Sequence, residues 1–146
     1  MLYVAGPYSP QTASQCKDPE AHFEAMCAAH LRITSNLMRK GNVVFSPIVY
    51  GHQLRHHGTS ATAWVEFNEH MVSHSNGVVL TQIPGWDKSK GVAIELMWAK
   101  VYSLPIYVIG AGYQLIKVNA ALQNDILKER ISLLQQYAAG DLPWPT

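Results

Sequence analysis

Apolar residues follow two alternating patterns along this chain. Short runs rich in β-branched and aromatic residues, typical of strands, occupy positions 2–5, 43–45, 77–81 and 105–109. Longer segments with apolar residues at helical spacing occupy positions 18–40, 61–75, 89–103 and about 122–138. Strands that alternate with helices predict an α/β fold with a parallel sheet covered on both faces. We expect a three-layer sandwich, flavodoxin- or Rossmann-like, with four to five strands flanked by helices and the first four in the order 2-1-3-4.

The segment at 18–40 carries the local signals of a helix at both ends. Asp18 can cap the first turn, Pro19 suits the first helical position, and Gly41 follows the last turn. Positions 49–60 show neither periodicity and are expected to form an irregular loop. The last helical segment is more apolar than a surface helix requires, so we expect a subunit interface there and a homodimer or larger homo-oligomer.

Composition narrows the range of partners. The chain has 146 residues, 48% of them hydrophobic, and no linker-like segment, so we interpret residues 1–146 as one domain. Eleven basic and ten acidic residues leave no polybasic stripe for polymeric nucleic acid or a membrane surface, which favours a small ligand. Two cysteines without metal-ligand spacing, and the lack of a secretory leader or long apolar run, predict a cytoplasmic protein.

The histidines have two alternative interpretations. His70 and His74 lie four residues apart, but the segment HMVSH lacks the glutamate of a metalloprotease motif, so no metal site is expected. His52, His56 and His57 fall in the predicted loop. They are either solvated there or, in one case, in contact with a substrate.

One carboxylate stands out near the end of the sheet where ligands bind. In open parallel sheets that place lies beyond the carboxyl ends of the strands, here positions 6–9, 46–47, 83–87 and 110–112. The third segment enters a helix through Ser89 and Gly91, whose backbone N–H groups suit an anionic oxygen. Glu95 follows in the apolar run 91–99, where a buried charge needs a partner or a use. The alternative is a partly exposed helical glutamate in a salt bridge.

Three motifs carry a resemblance to a known family. They are Leu-Tyr-Val-Ala-Gly-Pro-Tyr-Ser at 2–9, Val-Phe-Ser-Pro at 44–47 and Gly-Trp-Asp-x-Ser-x-Gly-Val-x-x-Glu at 85–95. In this order and spacing they resemble the nucleoside 2-deoxyribosyltransferase superfamily, above all a phage and bacterial branch related to nucleoside 5′-monophosphate N-glycosidases. The resemblance covers about residues 2–109. It implies cleavage or exchange of the N-glycosidic bond of a nucleoside or (deoxy)nucleoside 5′-monophosphate, without metal or organic cofactor.

The resemblance also implies roles for particular residues. Glu95 falls on the family's catalytic glutamate, which attacks the anomeric carbon or stabilises the oxocarbenium-like state, as in a retaining glycosidase. Ser89 falls on a serine that contacts the 5′-phosphate in nucleotide-hydrolysing relatives. Tyr8, which follows Gly6 and Pro7, is expected to close one wall of the sugar and base pocket. The other predicted substrate contacts are Ser9, Ser46, His52, Gly85, Trp86, Asp87 and Gly91.

Two of these positions leave alternatives open. Trp86 either stacks on a base or braces its own loop. Asn68 is a catalytic candidate beside Glu95 and Tyr8, because many relatives have an aspartate there that holds the sugar or aids proton transfer. An amide cannot take up a proton. The first loop has Ser9 and no nearby arginine, whereas nucleotide-hydrolysing relatives often place an arginine there.

These departures leave two other classes of function open. One is a nucleotide-binding module without turnover, acting as a sensor or sequestering protein. The other is a purely structural interaction protein, which would explain the apolar last helix but not the segment at 85–95.

Overall fold

A single five-stranded sheet forms the middle of the molecule, which we describe from a computed structural model of residues 1–139. The strands are β1 (Leu2–Ala5), β2 (Val44–Phe45), β3 (Val78–Leu80), β4 (Ile106–Ile109) and β5 (Leu115–Lys117). Their order across the sheet is β2-β1-β3-β4-β5. The first four strands are parallel, and β5 pairs antiparallel with β4.

Six helices connect and cover the strands. They are α1 (Ala13–Lys17), α2 (Pro19–Arg39), α3 (Pro47–His52), α4 (Ala61–Ser73), α5 (Lys90–Val101) and α6 (Ala120–Ala139). Short polar side chains accept a backbone N–H at the start of most of them, which satisfies part of the first turn. The cap is Asp18 for α2, Ser46 for α3, Ser60 for α4 and Ser89 for α5.

The sheet has a core on each face, because side chains alternate across a strand. Tyr3 and Leu80 point to the face covered by α4, α5 and α6, where they pack with Leu96 and other apolar residues. Val4 and Val79 point to the opposite face and pack with Leu37 of α2. The fold therefore has three layers.

The expected α/β class, the strand order and the flanking helices are confirmed. The sheet is mixed rather than wholly parallel, because the chain reverses directly after β4. Gly112 has a φ of 63° and Tyr113 a φ of 61°, so the left-handed turn returns β5 alongside β4. Residues 140–146, which the single-domain interpretation includes, lie outside the described residues.

The expectation of an irregular loop at 49–60 is wrong at its start. Residues 49–52 belong to α3, because Ser46 caps that helix through Val49 N and Pro47 occupies its first turn. Irregular turns begin only after His52.

The last helix uses much of its apolar stripe within the chain. Leu127 and Tyr137 of α6 are buried, and the Tyr137 hydroxyl donates to Lys88 O at 2.9 Å. Leu122 remains 49% exposed. Of the helices within residues 1–139, none is both long and apolar enough to cross a membrane.

Candidate functional site

A cavity of about 540 Å³ lies beyond the carboxyl end of β1, where the loop after β1 meets α3 with the turns that follow it, α4, and the first half of α5. The residues that line it come from these four regions: Gly6, Tyr8, Ser9 and Gln11; Pro47, Ile48, Gly51, His52, Arg55 and Thr59; Ala61, Trp64 and Asn68; and Ser89, Lys90, Gly91 and Glu95. This is the edge at which parallel sheets bind ligands.

Glu95 is a buried carboxyl group in the wall of this cavity. Its side chain is 8% exposed, and the Tyr3 hydroxyl donates to Oε1 at 2.7 Å. Oε2 has no hydrogen-bond partner among the described residues. Burial raises the pKa of Glu95 to about 8, while the bond from Tyr3 acts in the opposite direction. The alternative of an exposed glutamate in a salt bridge is therefore wrong.

Tyr3 is a fixed donor to this carboxyl group. It is fully buried in β1, and burial together with the neighbouring Glu95 raises its pKa well above the usual value. The hydroxyl keeps its proton, so it orients Oε1 and leaves Oε2 for a ligand.

Asn68 supplies a second unsatisfied acceptor to the same cavity. Its Oδ1 is buried and has no partner within residues 1–139. Buried polar atoms in native proteins are nearly always hydrogen-bonded, and an unsatisfied one costs about 1–3 kcal/mol. The two orphaned oxygens of Asn68 and Glu95 thus favour a ligand that brings its own donors, such as sugar hydroxyls.

The turn after β1 is fixed by close packing around Gly6. A Cβ at this position would lie 2.2 Å from both His30 Cε1 and Thr81 Oγ1, so a larger residue does not fit. His30 is fully buried, with Nε2 3.3 Å from Pro7 O, and burial lowers its pKa to about 4. A neutral His30 therefore supports the loop that carries Tyr8.

Tyr8 is hydrogen-bonded to His52 at one wall, and His52 in turn lies within ion-pair distance of Glu24. Tyr8 Oη lies 2.7 Å from His52 Nδ1, and His52 Nε2 lies 3.2 Å from Glu24 Oε1. The Tyr8 ring packs on Phe23, with centroids 4.7 Å apart. Burial raises the pKa of Tyr8 to about 12, so its hydroxyl is neutral.

Arg55 brings an arginine to the cavity that its place in the sequence does not reveal. The guanidinium contacts Glu20 and Glu24 of α2 and donates to His52 O at 2.6 Å. Its hydrogen bond lowers the pKa of Glu20. Two carboxylates accompany the single guanidinium, so Arg55 is not an unpaired cation awaiting a phosphate.

The start of α5 borders the cavity through its first turn. Ser89 is buried and its Oγ accepts from Val92 N at 3.3 Å. Lys90 and Gly91 also line the cavity. Because Ser89 Oγ still has a proton to donate, it can cap the helix and contact an anionic ligand at once.

The cavity brings together eight of the residues singled out from the sequence: Gly6, Tyr8, Ser9, His52, Asn68, Ser89, Gly91 and Glu95. Five others do not line it: Pro7, Ser46, Gly85, Trp86 and Asp87. Ser46 caps α3 instead. Trp86 packs against the apolar core, and the Arg130 guanidinium lies 5.1 Å from its ring centroid. This position agrees with the loop-bracing alternative for Trp86.

The sequence patterns assign no functional role to four residues that line the cavity or contact Glu95: Tyr3, Gln11, Arg55 and Trp64. Alternation along β1 could have placed Tyr3 on the same sheet face as Ala5. No sequence pattern signals Arg55, which lies 31 positions or more from its carboxylate partners.

The histidines separate into different environments. His52 is buried and lines the cavity, whereas His56 and His57 are exposed. The rings of His70 and His74 pack against each other at a tilt of 35°, with centroids 4.2 Å apart, and neither residue lines the cavity. Within the described part of the chain, no three His, Cys, Asp or Glu side chains gather in a way that could hold a metal ion.

These features define a Rossmann-like α/β domain with a small-molecule cavity at the carboxyl edge of its sheet. The chain belongs to the family described as a domain of unknown function, DUF1937, whose model matches residues 1–111. That range includes every residue that lines the cavity. No curated protein and no solved structure matches the chain.

Proposed function

We propose that this protein cleaves or exchanges the N-glycosidic bond of a nucleoside or (deoxy)nucleoside 5′-monophosphate. The observation that carries the proposal is the buried Glu95 carboxyl group, with Oε1 bonded to Tyr3 and Oε2 unpartnered within the described chain, in the wall of a ligand-sized cavity. The resemblance of the segments at 2–9, 44–47 and 85–95 to nucleoside 2-deoxyribosyltransferases supports the same chemistry.

The two carboxyl oxygens of Glu95 act differently in this reaction. Tyr3 fixes Oε1, and Oε2 approaches the anomeric carbon as nucleophile or as a negative charge beside the oxocarbenium-like state. A carboxylate in a dry site interacts more strongly with developing positive charge than one in water. The same burial makes the free carboxylate unfavourable, which is why the Glu95 pKa is raised.

The cavity suits a ligand of nucleoside size. Its volume of about 540 Å³ is within the roughly 300–1,000 Å³ typical of small-molecule sites. Asn68 Oδ1 is available to a sugar hydroxyl, and Trp64 offers an aromatic surface to a base. Ser89 and the first turn of α5 are the groups for a 5′-phosphate, if the substrate carries one.

The test is base release by purified protein from a panel of nucleosides and 5′-monophosphates, with and without a second free base. Chromatography should detect free or exchanged base, and Glu95→Gln should abolish the product. Glu66→Gln is the matched control, because Glu66 is exposed on α4 and does not line the cavity. No product from any substrate, or equal product from Glu95→Gln, would refute the proposal.

A second candidate is a nucleotide-binding module without turnover. Asn68 favours it, because an amide cannot move the proton that an aspartate would. In that case a panel ligand should raise the melting temperature of wild type and Glu95→Gln alike, with no base released. Thermal stabilisation together with Glu95-dependent release would exclude it.

We also propose that the protein works as a cytoplasmic homodimer or larger homo-oligomer, without metal or organic cofactor. Leu122 of α6 is about half exposed and is available to a second copy. Size-exclusion chromatography with light scattering should give at least twice the chain mass of 16.2 kDa. A monomer at micromolar concentration would contradict the oligomer.

A further inference from the structure

Bond cleavage leaves a proton requirement that Glu95 does not meet. A departing nucleobase carries the electron pair of the broken bond and leaves more readily when a nitrogen is protonated. Asn68, where relatives have an aspartate, cannot supply that proton. A different donor must therefore line the cavity.

The row of contacts from Glu24 through His52 to Tyr8 ends in such a donor. Tyr8 lines the cavity, and its hydroxyl lies 2.7 Å from His52 Nδ1. The other imidazole nitrogen, Nε2, is 3.2 Å from Glu24 Oε1, within ion-pair distance. His52 is 5% exposed, so the imidazole and its contact with Tyr8 are buried, whereas the Glu24 side chain is 60% exposed.

We propose that Tyr8 is the catalytic residue that protonates the departing base, with His52 and Glu24 as positioning residues that resupply its proton. This inference rests on the proposed function of N-glycosidic bond cleavage. It assigns the acid role to a chain of side chains from the loop after β1, α3 and α2.

The proton transfers balance in both half-reactions. When the C1′–N bond breaks, its electron pair stays on the base nitrogen, which takes the Tyr8 Oη proton as Tyr8 takes one from Nδ1 of the His52 imidazolium. Glu95 Oε2 bonds to C1′ or stabilises its positive charge. Water or a second base then bonds to C1′ and loses a proton to Tyr8, which returns one to His52, and the Glu95 carboxylate is released.

The raised pKa of Tyr8 agrees with a coupled transfer. At about 12, the hydroxyl does not lose its proton unaided near neutral pH. When His52 is neutral and carries its proton on Nε2, Nδ1 accepts the hydrogen bond of the Tyr8 hydroxyl. When His52 is an imidazolium, Nδ1 donates to Tyr8, and the Tyr8 proton is available to the substrate.

The groups around Tyr8 combine both signs of charge. Glu20, Glu24 and Cys27 of α2 and Arg55 from the turns after α3 act on its hydroxyl, and Glu24 also lies 3.2 Å from the imidazole of His52. Burial raises the pKa of Cys27, so its thiol is neutral. Glu20 and Glu24 both pair with the Arg55 guanidinium, so the charges beside Tyr8 and His52 largely compensate one another.

The experiment compares substrates that need a proton with substrates that do not. Unmodified nucleosides or 5′-monophosphates are set against N7-methylated purine nucleosides and 4-nitrophenyl glycosides of ribose and 2-deoxyribose, whose leaving groups depart without protonation. General acids typically contribute about 10²–10⁴-fold to rate, so Tyr8→Phe should lower kcat about 100-fold or more on unmodified substrates. On the activated substrates, Tyr8→Phe should lower kcat by less than about 3-fold, because their leaving groups need no proton.

Two further measurements separate proton transfer from packing. In Tyr8→Phe an aromatic ring still packs against Phe23, but the hydroxyl is lost. In His52→Gln the Tyr8 hydroxyl still has a polar partner, but the amide cannot carry the proton. Both variants should show the same selective loss. The solvent deuterium isotope effect on kcat should be present in wild type and absent in Tyr8→Phe. Tyr102→Phe is the matched control, because its hydroxyl donates to Glu69 outside the cavity.

The outcomes distinguish this inference from the function on which it rests. The proton-donor role would be overturned if Tyr8→Phe lowered kcat equally on unmodified and activated substrates, or if it left the solvent isotope effect unchanged. Either result would leave N-glycosidic cleavage standing. No cleavage of any substrate by wild type would overturn both. Cleavage that requires Glu95 and is indifferent to Tyr8 would leave another group as the acid.

Discussion

Replacement of Glu95 by glutamine should stabilise the protein at neutral pH. Burial raises the Glu95 pKa from about 4.5 to about 8, so the folded state holds a proton that the unfolded state has lost. The contribution of protonated Glu95 to the free energy of unfolding is fully present below the pKa of the unfolded state, about 4.5. It is lost as the pH rises through the pKa of the folded state, about 8. The full loss, above about pH 9, is on the order of 5 kcal/mol, and at pH 7 it is about 3 kcal/mol.

Glutamine has the shape of the protonated acid and does not titrate. Its Oε1 can still accept the Tyr3 hydrogen bond, so the main change is the removal of the ionisation penalty. Unfolding free energies from urea titrations should be compared for wild type and variant at pH 4 and pH 7. The difference between the two proteins should grow by about 3 kcal/mol in favour of Glu95→Gln between these pH values.

A pH-independent difference would refute this explanation. It would mean that Glu95 ionises in the folded protein as readily as in water, and hence that the carboxyl group is solvated. The exposed Glu66→Gln should show no comparable change, because Glu66 loses little solvation on folding.

Three further predictions concern the surroundings of the site. Gly6→Ala should lower the unfolding free energy by about 1–3 kcal/mol in urea titrations, because its Cβ would overlap buried His30 and Thr81, and unchanged stability would contradict that packing. Burial lowers the pKa of His30 from 6.5 to about 4, so folding keeps this imidazole neutral. The free energy of unfolding should therefore fall by about 3 kcal/mol as the pH drops from above 6.5 to below 4. His30→Gln should remove that acid dependence, and an unaltered pH profile would refute it. Leu127→Ala should cost about 2–5 kcal/mol if α6 is an integral part of the core, and a loss under about 1 kcal/mol would show that it is not.

The elements that could be predicted from sequence are those with strong local signals. The helix at 18–40 has an aspartate cap, a proline in its first turn and a long apolar stripe, and the structure places α2 at Pro19–Arg39. The four parallel strands are apolar on both faces, because helices cover the sheet from both sides. Their alternation with helices predicts a parallel sheet, and the expected strand order β2-β1-β3-β4 is confirmed.

The elements that escaped prediction are short and depend on tertiary contacts. β5 has three residues, two of them exposed, so its apolar signal is weak, and its pairing requires the left-handed turn at Gly112 and Tyr113. The helix α3 is six residues long, and its cap at Ser46 was interpreted as a ligand contact.

The candidate site was predicted in part for the same reason. Glu95 could be recognised because a lone acid in an apolar helical run demands an explanation. The contacts that surround Tyr8 could not, because Glu24 and His52 are far apart in sequence and meet only when α2 and α3 pack together. Arg55 reaches the cavity for the same reason.

The pH dependence of base release tests the role of Glu95 most directly. With an N7-methylated purine nucleoside, whose base departs without protonation, kcat/KM should rise with pH up to a plateau above about 8, because the Glu95 carboxyl group must lose its proton to act. Glu95→Gln should release no base at any pH. Release by Glu95→Gln equal to that of wild type, or a wild-type rate with no acidic limb controlled by Glu95, would contradict the account.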